Sequence, residues 1–218
     1  MLGMNTIGIV RGEEYANKST ETLDFCRAQG MRLHAVSREE YRHRDDPGYL
    51  EKLKGTFHNP YLIPEGGTLP LALPGMSELV VETEAQLGYP PDYYVVAAGT
   101  GGTAAGIVAA SAFTLAFSAL KNGGFLENEI LNLVNQEGAE ARLQLFTDYH
   151  FGGYARHKPE LLAFMQDFEE RHRVPLEHVY TGKMLFGLYD LLEKGFFKKG
   201  ETIVAIHTGG LQGRSHVN

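Results

Sequence analysis

A glycine- and threonine-rich loop is the segment whose residue types point most directly to chemistry. It comprises Gly99, Thr100, Gly101, Gly102 and Thr103, after an apolar run and before a stretch of small residues. Glycines let a ligand approach the backbone closely, successive amide hydrogens can point inward, and a following helix turns its positive dipole end toward the loop. The threonine hydroxyls are two further donors. The loop therefore predicts a phosphate-binding site that needs no lysine or arginine.

Two alternatives to this site stay open on the loop alone. Gly99, Gly101 and Ala104 satisfy the dinucleotide pattern G-x-G-x-x-A. That pattern expects an acidic residue about 20 positions onward to bind a ribose, whereas residues 118–121 are SALK. The second alternative is a strand-to-helix turn that binds nothing. A Walker-type loop is excluded because no Gly-Lys-Ser/Thr follows.

Thr208 is a further candidate, because it follows a second apolar run, residues 202–206. A hydroxyl at the end of a buried strand would point into a crevice beside the phosphate site. It could pair with a heterocyclic nitrogen, and as a neutral partner it would make the ring a weaker electron sink than a carboxylate would. The alternative role is to close the turn before Gly209.

Two tyrosines lie in loop-like segments that contain glycine: Tyr154 in YHFGGY and Tyr180 in VYTGK. A phenol can serve as acid, base or substrate clamp, although buried tyrosines often only pack with a bonded hydroxyl. His150 and His207 could be bases and stay unassigned. No His, Asp or Glu spacing is typical of a metal site.

The elements that position these residues alternate between strand and helix. Apolar runs predict strands at 6–10, 32–36, 93–98 and 202–206, and periodic segments predict helices at 19–29, 76–87, 159–173 and 183–194. Strands that are apolar on both faces indicate an α/β fold with a parallel sheet covered by helices on both sides. Ligands of such sheets bind at the carboxyl ends of strands, where Gly66-Gly67, Gly99–Thr103 and Gly209-Gly210 would meet in one crevice.

Composition favours small-molecule chemistry. The 218 residues are 43% hydrophobic and carry a net charge of -7, which argues against nucleic-acid and acidic-membrane partners. Cys26 is the single cysteine, so no intrachain disulfide can form, and the sequence shows no targeting segment. We therefore expect a cytoplasmic protein. The charged stretch 38–59, which contains Pro47, indicates a boundary near residue 60.

Seven consecutive motifs resemble one family: TIGIVRGE, GMRLHAVSREEY, YLIPEGGT, VVAAGTGGTAAG, YHFGGYAR, VYTGKMLFGLYDLL and IVAIHTGGLQG. They run from Thr6 to Gly213 and are similar to those of the D-cysteine desulfhydrase and 1-aminocyclopropane-1-carboxylate deaminase family. The resemblance implies pyridoxal 5'-phosphate (PLP) as cofactor, a fold type II (tryptophan synthase beta-like) architecture and a homodimer. Residues 1–60 would be the remainder of the small β-α-β lobe, and residues 61–218 the large PLP-binding lobe.

The resemblance also assigns roles to residues. It implies that Gly99–Thr103 hold the cofactor phosphate, that Thr208 faces the pyridine nitrogen, and that Tyr154 and Tyr180 are the active-site tyrosines. The deaminase branch has glutamate and leucine where this chain has Thr181 and Thr208. The pattern is thus closer to the desulfhydrase branch, which converts D-cysteine to pyruvate, sulfide and ammonia.

One departure from the family concerns the region before TIGIVRGE. Family members carry there the Schiff-base lysine and a Ser-Asn pair, and neither motif occurs in these 218 residues. Lys183 does not match the Schiff-base position. We therefore expect an N-terminally truncated chain that is inactive alone, with a noncatalytic PLP- or phosphate-binding remnant, or a product of a misplaced start that does not fold alone, as the alternatives.

Overall fold

The computed structural model describes residues 3–216, in two compact units, one ending at Pro64 and the other beginning at Glu65. The first unit is a β-α-β element followed by two helices. The second unit contains the larger sheet and the glycine loop.

The elements of the first unit, in chain order, are β1 Ile7–Arg11, α1 Glu21–Ala28, β2 Arg32–Val36, α2 Arg38–Arg42 and α3 Pro47–Thr56. Strands β1 and β2 pair in parallel, with Ile7 opposite Arg32. The Thr20 hydroxyl caps α1, and Ser37 caps α2. Pro47 occupies the first turn of α3, where a missing amide hydrogen costs no hydrogen bond. The charged stretch after β2 is therefore two short helices.

The elements of the second unit are α4 Leu73–Leu87, β3 Tyr93–Ala98, α5 Gly102–Ala109, β4 Thr114–Ser118, α6 Phe125–Val134, β5 Leu143–Phe146, α7 Pro159–His172, α8 Thr181–Glu193 and β6 Ile203–Ala205. The four strands form one parallel sheet in the order β5-β4-β3-β6. The predicted strands and helices of this region are present, with ends that shift by up to three residues. Strands β4 and β5 and helix α6 were not among the predictions.

Both faces of this sheet are covered by helices. Val96 and Ala116 belong to a buried cluster that includes residues of α4, α5 and α6. Their strand neighbours Val95 and Phe117 belong to a second cluster, formed with α7 and α8. Alternate residues of a strand point to opposite faces, so each strand contributes to both clusters. The predicted α/β class with a doubly covered parallel sheet is confirmed.

No helix between residues 3 and 216 combines the length and the apolar character that a bilayer crossing requires.

The contact between α4 and α5 gives a test of this packing. A Cβ at Gly106 of α5 would lie 2.1 Å from the Cβ of Met76 in α4, an atom that cannot move without its helix. We expect Gly106→Ala to lower the free energy of unfolding by about 2 kcal/mol through this overpacking, measured by urea denaturation. The matched control is Gly55→Ala in α3, where no atom lies within 4 Å and alanine should stabilise by about 0.5 kcal/mol. Equal effects at both sites would contradict the close helix contact.

Candidate functional site

The glycine loop connects the buried end of β3 to the first turn of α5. Gly101 is the N-cap of α5 and has φ +81°, a left-handed conformation that glycine adopts without strain. A Cβ there would also lie 2.6 Å from Cγ1 of Ile130. The Gly101 carbonyl accepts the first helical hydrogen bond, from Ala105. The backbone thus turns sharply and presents the amino-terminal end of a helix at the edge of the sheet.

A second glycine turn, residues 66–68, lies against this loop. The hydroxyl oxygens of Thr68 and Thr100 are 2.6 Å apart and share a hydrogen bond. A Cβ at Gly66 would lie 2.5 Å from the Thr100 hydroxyl oxygen, so only glycine allows this approach. The two loops and the start of α4 enclose a cavity of about 110 Å³, lined by Gly66, Gly67, Thr68, Leu69, Ala72, Leu73, Met76, Ala97, Gly99, Thr100, Gly101, Gly102 and Thr103.

The two predicted tyrosines lie together at this loop. A Cβ at Gly99 would be 2.9 Å from Cε1 of Tyr180 and 3.0 Å from its hydroxyl oxygen. The ring of Tyr154 meets that of Tyr180 edge to face, with the centroids 5.9 Å apart. Burial, and after it a hydrogen bond with Tyr154 and the charges of Glu177 and Glu65, raise the pKa of Tyr180. Tyr180 therefore keeps its proton at neutral pH and can donate a hydrogen bond.

Glu177 fixes the backbone that carries Tyr180. Its buried carboxylate accepts hydrogen bonds from the amides of Val179, Tyr180 and Thr181, at 2.6–2.7 Å, and from the Thr181 hydroxyl at 3.2 Å. These donors stand at the amino-terminal end of α8, where the helix dipole favours a negative charge. The side chain also packs beside Gly210, where a Cβ would lie 3.3 Å from Cγ of Glu177. One side chain thereby connects the turn at residues 177–181, which carries Tyr180, with the turn at residues 207–210.

The two histidines considered as bases close turns instead. The amide of Gly152 donates to Nδ1 of His150 at 2.9 Å, and that of Gly209 donates to Nδ1 of His207 at 3.1 Å. Nε2 of His207 donates to the Pro175 carbonyl at 2.9 Å, which makes His207 the Nε2–H tautomer. Both rings therefore have a structural role in glycine turns.

The structure brings together most of the predicted site residues. Residues 99–103 line one cavity with the turn at 66–68, and Tyr154 and Tyr180 stand beside them. Thr208 is exposed and does not line this cavity, although it follows β6, the neighbour of β3, at the same edge of the sheet. Sequence reasoning missed Thr68 and Glu177. A carboxylate shortly before a predicted helix is the signal that could have indicated Glu177.

Comparison with known proteins defines the class of protein to which this fold and site belong. Residues 14–122 match the family model described as pyridoxal-phosphate dependent enzyme. A protein of Pyrococcus horikoshii named putative 1-aminocyclopropane-1-carboxylate deaminase is 32% identical over 99% of this chain and 69% of its own length. The chain belongs to the family of pyridoxal-phosphate dependent enzymes.

Two relatives carry the names of the family that the motifs resemble. The bifunctional D-cysteine desulfhydrase/1-aminocyclopropane-1-carboxylate deaminase of Arabidopsis thaliana is 33% identical over 86% of this chain and 51% of its own length. The crystal structure of an ACC deaminase homologue superposes with a TM-score of 0.78 and 29% identity, over 97% of this chain and 68% of that one. Cystathionine beta-synthase of Bacillus anthracis, at 17% identity and a TM-score of 0.54, shares the fold. The predicted fold type II architecture is confirmed.

The capping role of Glu177 predicts a large effect on stability. We expect Glu177→Gln to lower the free energy of unfolding by about 3 kcal/mol, because an amide group would face amide donors that now share a carboxylate. Urea denaturation followed by far-UV circular dichroism measures the change. Glu193→Gln, at the exposed last residue of the same helix, is the control and should be nearly neutral. A similarly small effect of Glu177→Gln would refute the proposed cap.

Proposed function

We propose that the cavity of the glycine loop holds the phosphate of PLP, and that the protein is a lyase or deaminase acting on a small amino acid. The observation that carries this proposal is the pairing of the loop 99–103 with the turn 66–68 at the start of α5. The family to which the chain belongs supports PLP as the ligand. By resemblance, Gly99, Thr100, Gly101, Gly102 and Thr103 would bind the phosphate.

The chemistry of the cavity fits a phosphate group. Its lining residues are glycines, threonines and apolar residues, without a charged side chain among those that the structure describes. An anion there would be bound by backbone amides, by hydroxyls and by the positive end of the α5 dipole. Glycines line both walls, Gly66 and Gly67 on one and Gly99, Gly101 and Gly102 on the other, so no Cβ at these positions occupies the cavity. The donors present therefore suit an oxyanion.

Bound PLP would supply an electron sink that weakens the bonds at the α-carbon of an amino acid. Tyr180, whose raised pKa keeps its phenol neutral, would hold a proton beside the glycine loop. Tyr154, more than half exposed and in contact with Tyr180, would close one wall and orient the substrate. Thr208 would offer its hydroxyl to the pyridine nitrogen, as the resemblance implies.

The preference for D-cysteine rests on Thr181 and Thr208. Thr181 is fully buried, and its hydroxyl lies 3.2 Å from the carboxylate of Glu177. A glutamate at position 181 would bring a second carboxylate close to the first, which disfavours both charges. The local electrostatics thus suit threonine and the desulfhydrase-like pattern.

The lobes, the assembly and the compartment complete the proposal. Residues 1–60 would be the remainder of the small lobe and residues 61–218 the large PLP-binding lobe, a division supported by the two compact units. A homodimer is expected from the resemblance, and light scattering would measure it. The single cysteine, Cys26, supports a reducing compartment such as the cytoplasm.

The phosphate site is tested by comparing PLP with pyridoxal, which lacks the phosphate. We expect Thr103→Ala to weaken PLP binding about tenfold, since one hydrogen bond to an anion is lost, and to leave pyridoxal binding unchanged. Absorbance titration gives both dissociation constants. Thr56→Ala, in α3 and exposed, is the control that should change neither. Equal affinity of the unaltered chain for PLP and pyridoxal would overturn the phosphate assignment.

The substrate class is tested by product analysis with PLP present. Because these 218 residues contain no lysine at the Schiff-base position, we expect turnover only in a form of the protein that is supplied with one. In that form we expect pyruvate and sulfide from D-cysteine to exceed the four-carbon oxo acid from 1-aminocyclopropane-1-carboxylate, because Thr181 and Thr208 match the desulfhydrase pattern. The reverse order would assign the deaminase reaction. PLP binding without either product in that lysine-bearing form would favour the noncatalytic alternative.

A further inference from the structure

Lys183 is a buried charge that the proposed site does not use. The residue is 1% exposed, and its Nζ donates to the Gly153 carbonyl at 2.7 Å. A longer contact, 3.5 Å, joins Nζ to the carbonyl of Ala119, just beyond β4. Burying an ammonium group is costly unless hydrogen bonds replace its water, so this placement needs a compensating reason. Burial lowers the pKa of Lys183 to about 8, against the attraction of Glu177.

The segment that Lys183 contacts is a strained turn. Between residues 151 and 155, positive φ angles occur at Phe151, Gly152, Gly153 and Ala155. Two of these residues are not glycines, and a left-handed conformation costs each of them about 1 kcal/mol. Such a turn keeps its shape when contacts from the surrounding structure hold it.

Tyr154 lies inside this turn, immediately after the carbonyl that Lys183 binds. Its side chain is 58% exposed, so packing alone holds it weakly. Within the turn, the Gly153 carbonyl also accepts from the amide of Arg156 at 3.0 Å. The hydrogen bond from Lys183 crosses 30 residues of sequence and joins this segment to the first turn of α8. The hydrogen bond therefore fixes the backbone next to Tyr154 relative to α8, the helix that begins just after Tyr180.

A direct role of Lys183 in binding the cofactor does not fit its position. Lys183 is not among the residues that line the glycine-loop cavity. Its ammonium group faces the two carbonyl oxygens of Gly153 and Ala119. Lys183 thus acts as a hydrogen-bond donor that joins α8 to two other backbone segments.

We infer that Lys183 is a positioning residue, which fastens the tyrosine turn, residues 150–156, to α8 and to the end of β4 and so sets Tyr154 against Tyr180. Its effect on catalysis rests on the proposed function, because it acts through the two proposed active-site tyrosines. The positioning itself does not depend on PLP.

Hydrogen–deuterium exchange of the full chain without PLP tests the positioning. We expect Lys183→Met to speed exchange of the peptide covering residues 150–156 by about tenfold or more, while β4 and α8 stay protected. Lys183→Arg, which keeps a charged donor, should restore most of the protection. Lys198→Met is the control, because Lys198 is exposed and lies after α8. Lys183→Gln replaces the methionine variant if that variant does not fold.

Two outcomes would overturn the inference. One is unchanged exchange in residues 150–156 of the Lys183 variants, and the other is a uniform loss of protection across α8 and β4, which marks a general packing defect. A functional readout is the turnover of a PLP-loaded form that carries a Schiff-base lysine, where Lys183→Met should lower kcat more than it raises KM. Failure of the unaltered chain to bind PLP would count against the proposed function and would leave the exchange result intact.

Discussion

The carboxylate of Glu177 is the interaction on which the rest of the site depends. It accepts hydrogen bonds from three successive amides at the start of α8. These bonds fix the backbone conformation at Tyr180 and so the direction in which its side chain projects. Tyr180 in turn packs against Gly99, which follows β3, and Gly210, which follows β6, packs against Glu177 itself. The loops after these two strands are therefore both held, directly or through Tyr180, by the buried Glu177 side chain. Without a carboxylate there, these buried or part-buried amides would have no acceptor of equal strength. The position of the Tyr180 side chain at the glycine loop thus depends on the Glu177 cap of α8.

The residues that line the cavity are neutral, and the buried charged residues nearby hold the backbone in place. The cavity is lined by neutral groups, whereas two buried charged residues do not line it: Glu177 lies just before α8 and Lys183 lies in its first turn. A lysine or arginine side chain in the cavity would bind an anion strongly. It would also attract the acidic side chains of the protein itself, which has a net charge of -7. Amides and a helix dipole supply a weaker, directional field that is fixed by the fold. If the cavity binds an anion as proposed, it would select that anion by shape.

The predictable parts of the structure were those encoded by neighbouring residues. Strand β3, the glycine loop and α5 follow one another in sequence, so apolar pattern and glycine spacing were sufficient. The contacts of Lys183 with Ala119 and Gly153 span 64 and 30 residues, and no local pattern encodes them. The proximity of residues 66–68 to Thr100 likewise depends on how α4 packs on α5. Strands β4 and β5 were missed because each is only four or five residues long and contains three apolar residues, too few to distinguish a strand from a helix segment.

The rigidity of the site is divided unequally between its two tyrosines. Tyr180 is half-buried, lies against Gly99 and has its own amide bound by Glu177. Tyr154 is exposed and sits in a turn with several positive φ angles, so its fixed position depends on a few hydrogen bonds. Strained backbone of this kind persists where surrounding contacts determine it more strongly than local preference does. The long reach of Lys183 supplies such a contact, and it holds one tyrosine in register with the other while leaving the phenol of Tyr154 accessible to a ligand.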